Sequence, residues 1–324
     1  MPNERISRIP PGSRDLLADD VRRRREVQST WFELAHSRGY DEIIPPTFEY
    51  EEVFALAAGR DLASRLIRFL DRDGKIVALR ADFTSSIARV AATRLRTEPL
   101  PLRLSYAGKV YRQATDDGGH HREAFQLGAE LIGDGSAEAD VEILRLAIDT
   151  LTALGINDFQ INIGESRFIE PLLRDFPEEE AERVREAIDR KDRATLEGIS
   201  GSARFQTPMF VSLLDLIGRA EVLDRAMVLA ESDEAWAAIA RLQEINSLLA
   251  PEERARLVYD LGEIRGQDYY TGIRFEIFIA GAGRSVGAGG RYDGLLGLYG
   301  RSAPAVGFML ETDAIADHFL RQEP

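Results

Sequence analysis

Apolar positions near the start of the chain recur at helical spacing. Val21, Val27, Trp31, Leu34 and Ala35 lie behind a polar side that carries Arg22 to Arg25, the pattern of a half-buried helix. Asp15 or Asp19 is placed to cap it and Gly39 to stop it. The next run, Glu42, Ile43, Ile44, Pro45, Pro46, Thr47 and Phe48, is strand-like but broken by prolines, which predicts an edge or an interface. Between Leu66 and Leu79, two apolar runs flank Asp73 and Gly74 and predict a hairpin. A helix then starts near Asp82 and Thr84 and carries Ile87, Val90 and Ala91. Leu102 to Tyr111 and Phe125 to Ile132 read as paired strands around a polar segment, Gln113 to Glu123, that holds Gly118 and Gly119. Ala137 to Leu154 is helical, with Val141, Leu144, Ile148 and Leu151 on one face, and Phe159 to Ile163 is a strand.

The pattern changes after Gly164. From Glu165 to Ala250 the chain is rich in Ala, Leu, Glu and Arg and repeats helical spacings such as Leu213, Leu216, Ile217 and Ala220, which predicts a helical insertion over 165–250. Strand character returns from Leu257, in Arg274 to Ile279 and in the glycine-rich stretch Gly281 to Gly294, and a last helix begins near Thr312. Strands do not alternate regularly with helices, so a doubly wound parallel sheet is disfavoured. The expectation is an α+β fold with a largely antiparallel sheet, its core formed by 1–164 and 251–324.

Composition narrows the chemistry. The 324 residues include no cysteine, which excludes disulfides, thiolate metal sites, iron–sulfur clusters and a cysteine nucleophile. Against 41 basic side chains stand 55 acidic ones, a net charge of −14 that opposes binding to nucleic acid phosphates. Met1 to Pro11 carries no apolar targeting core and no run approaches the length of a membrane span, so a cytoplasmic protein is expected. His120 and His121 are adjacent and lack helical ligand spacing, so no metal site is expected there. His36 and His318 read as helix-surface residues.

Three constellations combine polar side chains with glycine. In Lys109 to Arg112 and Arg122 to Glu130, a strand would point Gln126, Gly128 and Glu130 to one face. That makes either a recessed polar floor for ammonium or imidazole N–H groups, or an ordinary solvated sheet face. Arg265 to Gly272 sets Tyr269 and Tyr270 beside glycines, as a pocket wall or as a turn with aromatic packing. Gly287 to Leu295, followed by Pro304 to Phe308, is a weak anion-cradle signal and reads more readily as a tight bend in a sheet.

Taken in order, these segments resemble the catalytic core of histidyl-tRNA synthetases, a class II aminoacyl-tRNA synthetase fold. Gly108 to Gly128, Arg265 to Gly272 with Phe275 and Glu276, and Gly289 to Leu295 with Pro304 to Phe308 carry the resemblance. Pro11 to Asp15, Gly39 to Glu49 and Leu79 to Thr84 extend it, so that it covers the chain outside the insertion. The resemblance implies a histidine pocket. In it Asp82, Thr84 and Gln126 hold the α-ammonium, Glu130 and Tyr270 address the imidazole, Arg265 faces the carboxylate, and Arg112, Tyr269 and Tyr292 complete the lining.

The departures from that family are specific. Synthetases read FRxER at the second class II motif, whereas Tyr111 and Arg112 are followed here by Gln113, Ala114 and Thr115. At the third motif an arginine is replaced by Thr312 after Glu311, and with 12 residues following it no anticodon-binding domain is expected. Pocket retention with these losses resembles the regulatory subunits of ATP phosphoribosyltransferase. That resemblance implies no catalysis by this chain alone, no cofactor and no tRNA. It implies a short-form catalytic subunit as partner, L-histidine as effector, and a homodimer within a hetero-oligomer, a hetero-octamer. The Gln113 to Glu123 segment is a candidate for the element that moves, or a solvated loop. A histidine-adenylating enzyme without tRNA recognition, and a paralogue with neither link, are the competing readings.

Overall fold

The computed structural model describes residues 8–56, 59–113, 122–174, 176–200, 208–262 and 269–315. Its centre is a nine-stranded sheet. From edge to edge the strands are β1 (Asp41–Glu42), β5 (Leu102–Tyr111), β6 (Glu123–Ile132), β12 (Ala305–Glu311), β11 (Ser285–Arg291), β10 (Ile273–Ile279), β7 (Phe159–Glu165), β9 (Leu257–Asp260) and β8 (Ile217–Gly218). Pairing is antiparallel except for β1 with β5 and β7 with β9, in line with the largely antiparallel sheet expected. A second sheet, β2 (Phe48–Tyr50), β4 (Ile76–Leu79) and β3 (Arg68–Leu70), contains the expected hairpin. Gly74, at φ 81°, makes its turn and donates its N–H to the Asp71 carbonyl.

The helices are α1 (Ala18–Ser37), α2 (Glu51–Ala55), α3 (Gly59–Ser64), α4 (Thr84–Thr93), α5 (Ala137–Ala153), α6 (Ser166–Leu173), α7 (Glu178–Asp189), α8 (Arg193–Ser200), α9 (Pro208–Leu213), α10 (Glu221–Leu229), α11 (Asp233–Leu248) and α12 (Pro251–Arg254). The sheet is covered differently on its two faces. On one, Leu127, Ala129 and Leu131 of β6 pack with Trp31 of α1 and Leu144 and Leu151 of α5, and this core continues into α6, α7 and α11. On the other, Ile87 and Ala91 of α4 pack with Leu104, Tyr106 and Tyr292 in a smaller cluster. Burying a Leu- or Ile-sized side chain contributes about 1.5–3 kcal/mol, so the first face holds most of the folding energy. The second is left free to carry polar groups.

Three local expectations change. α1 begins at Ala18 and is closed by Asp20, whose Oδ2 accepts the Leu17 N–H at 3.0 Å, so neither Asp15 nor Asp19 is the cap. The run from Glu42 to Phe48 meets the expectation of an edge, since β1 and β2 are both outermost strands, but it is not one strand: Pro45 and Pro46 lack the N–H that a ladder needs, and the two fall in different sheets. Leu216 and Ile217 do not continue a helix. α9 stops at Leu213, the Leu216 carbonyl accepts from Leu261 N, and Ile217 pairs with Asp260. Leu213 and Leu216 are both buried at a helical spacing of three, but the second lies past the end of α9, in the turn that leads to β8. Residues 114–121, with both adjacent histidines, and His318 lie outside the described residues, whereas His36 is exposed on α1.

Candidate functional site

β6 carries the floor of a cavity. Strand alternation sends Leu127, Ala129 and Leu131 into the main core and leaves Gln126, Gly128 and Glu130 on the opposite face. Gln126 and Glu130 are only 2% and 1% exposed, so this is not a solvated sheet face. The cavity is lined by Asp82, Thr84, Arg112, Gln126, Glu130, Tyr269, Tyr270 and Tyr292. These are all the candidate residues except Arg265, which lies outside the described residues.

Glu130 is the centre of the arrangement. Thr84 Oγ1 donates to its Oε1 at 2.8 Å, and Tyr292 Oη donates to its Oε2. Burial raises its carboxyl from 4.5 to about 8, against the lowering effect of the bonds from Tyr292 and Thr84. Room for this carboxylate comes from the partner strand: Gly307 lies opposite Glu130, and a Cβ there would stand 1.7 Å from Oε2. Gly128 and Gly290 clear the same face, since a Cβ on either would meet backbone oxygen and a tyrosine ring closer than 3 Å.

The wall is built by the start of α4 and by the tyrosines. Asp82 accepts from Ser85 N at 2.7 Å and Ser85 Oγ at 3.1 Å. Burial raises its carboxyl, while the bonds from Ser85 and the Arg112 charge pull it down. Arg112 is held by Nε donating to the Ala81 carbonyl at 3.0 Å, and burial lowers its pKa. Tyr269 packs edge-on against both Tyr270, at 5.0 Å between centroids, and Tyr292, at 5.7 Å. Burial raises all three phenols above their ordinary range, so they remain protonated donors at neutral pH. Gln126 Nε2 has no hydrogen-bond partner among the described residues. A buried amide left unpaired costs about 1–3 kcal/mol; a ligand acceptor would complete it as it stands, and a ligand donor would complete it with the amide turned so that its oxygen takes the Nε2 position.

Sequence reasoning missed part of the lining. Phe83, Tyr106, Gly307 and Met309 also face the cavity. Phe83 stacks on Tyr106 at 4.3 Å and 13° and carries the Arg80 guanidinium 4.0 Å above its ring. The alternation of Leu104, Tyr106, Gly108 and Val110 along β5 was the available signal for Tyr106. The arginine of the Gly289–Leu295 segment faces away: Arg291 binds Asp140 of α5 at 2.6 Å, and Arg241 of α11 binds the same carboxylate at 2.8 Å. Thr312 is buried and donates Oγ1 to the Phe125 carbonyl at 3.0 Å. It therefore offers no cation to a phosphate.

A family model described as histidyl-tRNA synthetase matches residues 12–315, which accounts for the fold. The ATP phosphoribosyltransferase regulatory subunit of Geobacter sulfurreducens is 38% identical over 95% of this chain and 72% of its own length. The chain belongs to that regulatory subunit family. A solved member from Bacillus halodurans, described as an ATP phosphoribosyltransferase regulatory subunit/histidyl-tRNA synthetase, superposes with a TM-score of 0.88. It is 32% identical and covers 96% of this chain and 82% of its own. Regulatory subunits and synthetases are near relatives here, since the histidine–tRNA ligase of Thermococcus kodakarensis is 35% identical over 92% of this chain and 71% of its length. A chain of the ATP phosphoribosyl transferase (HisG:HisZ) complex from Thermotoga maritima shares the fold, with a TM-score of 0.69 at 22% identity over 89% of this chain and 97% of its own. No described helix of the chain is long and apolar enough to cross a membrane.

Proposed function

We propose that the chain is the non-catalytic, histidine-sensing subunit of ATP phosphoribosyltransferase, the enzyme of the first step of histidine biosynthesis. Its cavity takes L-histidine. Asp82 and the Gln126 amide, turned so that its oxygen faces inward, accept the α-ammonium. The Glu130 carboxyl and the Tyr270 hydroxyl meet the two imidazole nitrogens, and Thr84 and Tyr292 hold Glu130 in place. Arg265 meets the carboxylate. The observation that carries this reading is the convergence of a buried carboxyl, a second buried carboxyl and an unpartnered amide in one cavity. Two carboxyls and an inward-turned amide oxygen are the acceptors that an ammonium and a ring N–H require.

The partner is a short-form catalytic subunit. The chain acts as a homodimer within a hetero-oligomer, a hetero-octamer, in the cytoplasm, with residues 165–250 as a helical insertion in the core. Family names support the partnership, and the acidic charge supports independence from tRNA. A histidine-adenylating enzyme is the second reading, favoured by identity to a histidine–tRNA ligase and weakened by the buried Thr312. Calorimetry on the purified chain tests the pocket: histidine binds with a measurable heat, and absence of that heat overturns the assignment. Robust histidine-dependent ATP–pyrophosphate exchange would favour the second reading.

A further inference from the structure

The insertion breaks a local rule at one residue. α7 ends in a Schellman turn: Asp192 N donates to the Ala187 carbonyl at 2.7 Å and Lys191 N to the Ile188 carbonyl at 3.0 Å. The residue this turn places in the left-handed region is ordinarily glycine, because a Cβ is disfavoured there. Here it is Lys191, at φ 54°, the non-glycine residue with positive φ among those described. The side chain that glycine lacks is engaged. Lys191 Nζ lies 3.0 Å from both carboxylate oxygens of Asp260, at the end of β9.

Asp260 in turn organises the chain that leads to the cavity. It is buried, and its Oδ1 also accepts the Gly262 N–H at 3.1 Å. Leu261 N is fixed to the Leu216 carbonyl, and a Cβ on Gly262 would stand 2.9 Å from the Leu213 carbonyl oxygen and 3.3 Å from Lys191 Nζ. Residues 263–268 join this turn to Tyr269 and Tyr270 of the cavity. The far end is held independently, by Thr271 N on the Arg291 carbonyl at 2.8 Å and Asp293 N on Thr271 Oγ1 at 2.8 Å.

We propose that Lys191 is a positioning residue for the pocket: through Asp260 it anchors the near end of the tyrosine-bearing segment and ties that segment to the helical insertion. The side chain offsets an unfavourable backbone conformation because its ammonium is needed at Asp260, a local violation with an identifiable compensation. For the ligand, the inference rests on the reading of the cavity as a histidine site. For the anchoring itself it does not.

Lys191→Gly separates the two roles, since glycine suits the backbone and removes the ammonium. Hydrogen exchange on the ligand-free chain is expected to show roughly tenfold faster exchange at Leu261 and Gly262, whose N–H groups bond the Leu216 carbonyl and Asp260 Oδ1, in Lys191→Gly and Lys191→Met. α7 and α8 keep wild-type protection, and Lys191→Arg restores the segment. In calorimetry the same two variants bind histidine roughly tenfold more weakly. Unchanged exchange at Leu261 and Gly262, or loss of protection throughout the molecule in both variants, overturns the proposal. A wild-type chain that binds no histidine overturns the pocket reading instead and leaves the exchange result to decide on Lys191.

Discussion

Replacing Gly307 with alanine tests the centre of the cavity from a residue that makes no polar side-chain contact of its own. The added Cβ would stand 1.7 Å from Glu130 Oε2 and 2.7 Å from both Glu130 Cδ and the Ala129 carbonyl oxygen. β12 cannot retreat, because Gly307 is paired with Glu130 on one side and with Gly290 on the other. The carboxyl must therefore rotate away from Thr84 and Tyr292. Without histidine at pH 7 it is largely neutral, since burial raises it to about 8. Two neutral hydrogen bonds of about 0.5–1.5 kcal/mol each are then lost, and the fold weakens by about 1–3 kcal/mol. With histidine bound, the contact to the imidazole belongs to the charge-assisted class of about 1.5–3 kcal/mol. Affinity should fall roughly 10- to 150-fold, read by titration calorimetry beside urea melts. Gly135→Ala is the control, because a Cβ there meets Pro304 only at ordinary contact, 3.6 Å. Unchanged histidine affinity in Gly307→Ala, or an equal loss in Gly135→Ala, would refute the placement of Glu130.

Glu130→Gln removes a titrating group. The folded carboxyl at about 8, against an ordinary 4.5 in the unfolded chain, means that the native state keeps a proton the unfolded chain has released. That contribution is fully present below pH 4.5 and is lost as pH rises towards 8, at up to about 1.4 kcal/mol per pH unit. The variant's urea midpoint should thus gain on the wild type across that window, and a constant difference would contradict the burial argument. Asp140→Ala strips the shared partner from buried Arg291 and from Arg241. It should cost about 3–5 kcal/mol in denaturant melts, and a loss below about 1 kcal/mol, the scale of an exposed pair, would show the network to be peripheral. Radiolabelled pyrophosphate exchange with ATP and histidine should stay at background for the purified chain, and turnover well above background would contradict the non-catalytic reading.

Much of this site was legible because strand alternation is rigid. Once Leu127, Ala129 and Leu131 are assigned to a core, Gln126 and Glu130 must share the other face, whatever the rest of the fold does. The tyrosines and Asp82 came from resemblance, not from periodicity, and the cavity gathers them from elements far apart in sequence. What escaped was what only contact reveals. Gly307 matters because of one oxygen on a neighbouring strand, and Lys191 because of a carboxylate in β9. β8 escaped because two residues carry no period. The cap of α1 went to Asp20 because a carboxylate three residues inside the helix can reach back to the Leu17 N–H.

The central claim is that this chain regulates a phosphoribosyltransferase in response to histidine. Its most direct test is the initial rate of a purified short-form catalytic subunit, forming phosphoribosyl-ATP from ATP and phosphoribosyl pyrophosphate, with and without this chain and over a histidine titration. The account predicts turnover that depends on adding the chain and is suppressed by histidine, with the suppression weakened in Gly307→Ala. A rate that is the same with and without the chain, and indifferent to histidine in both cases, would contradict it.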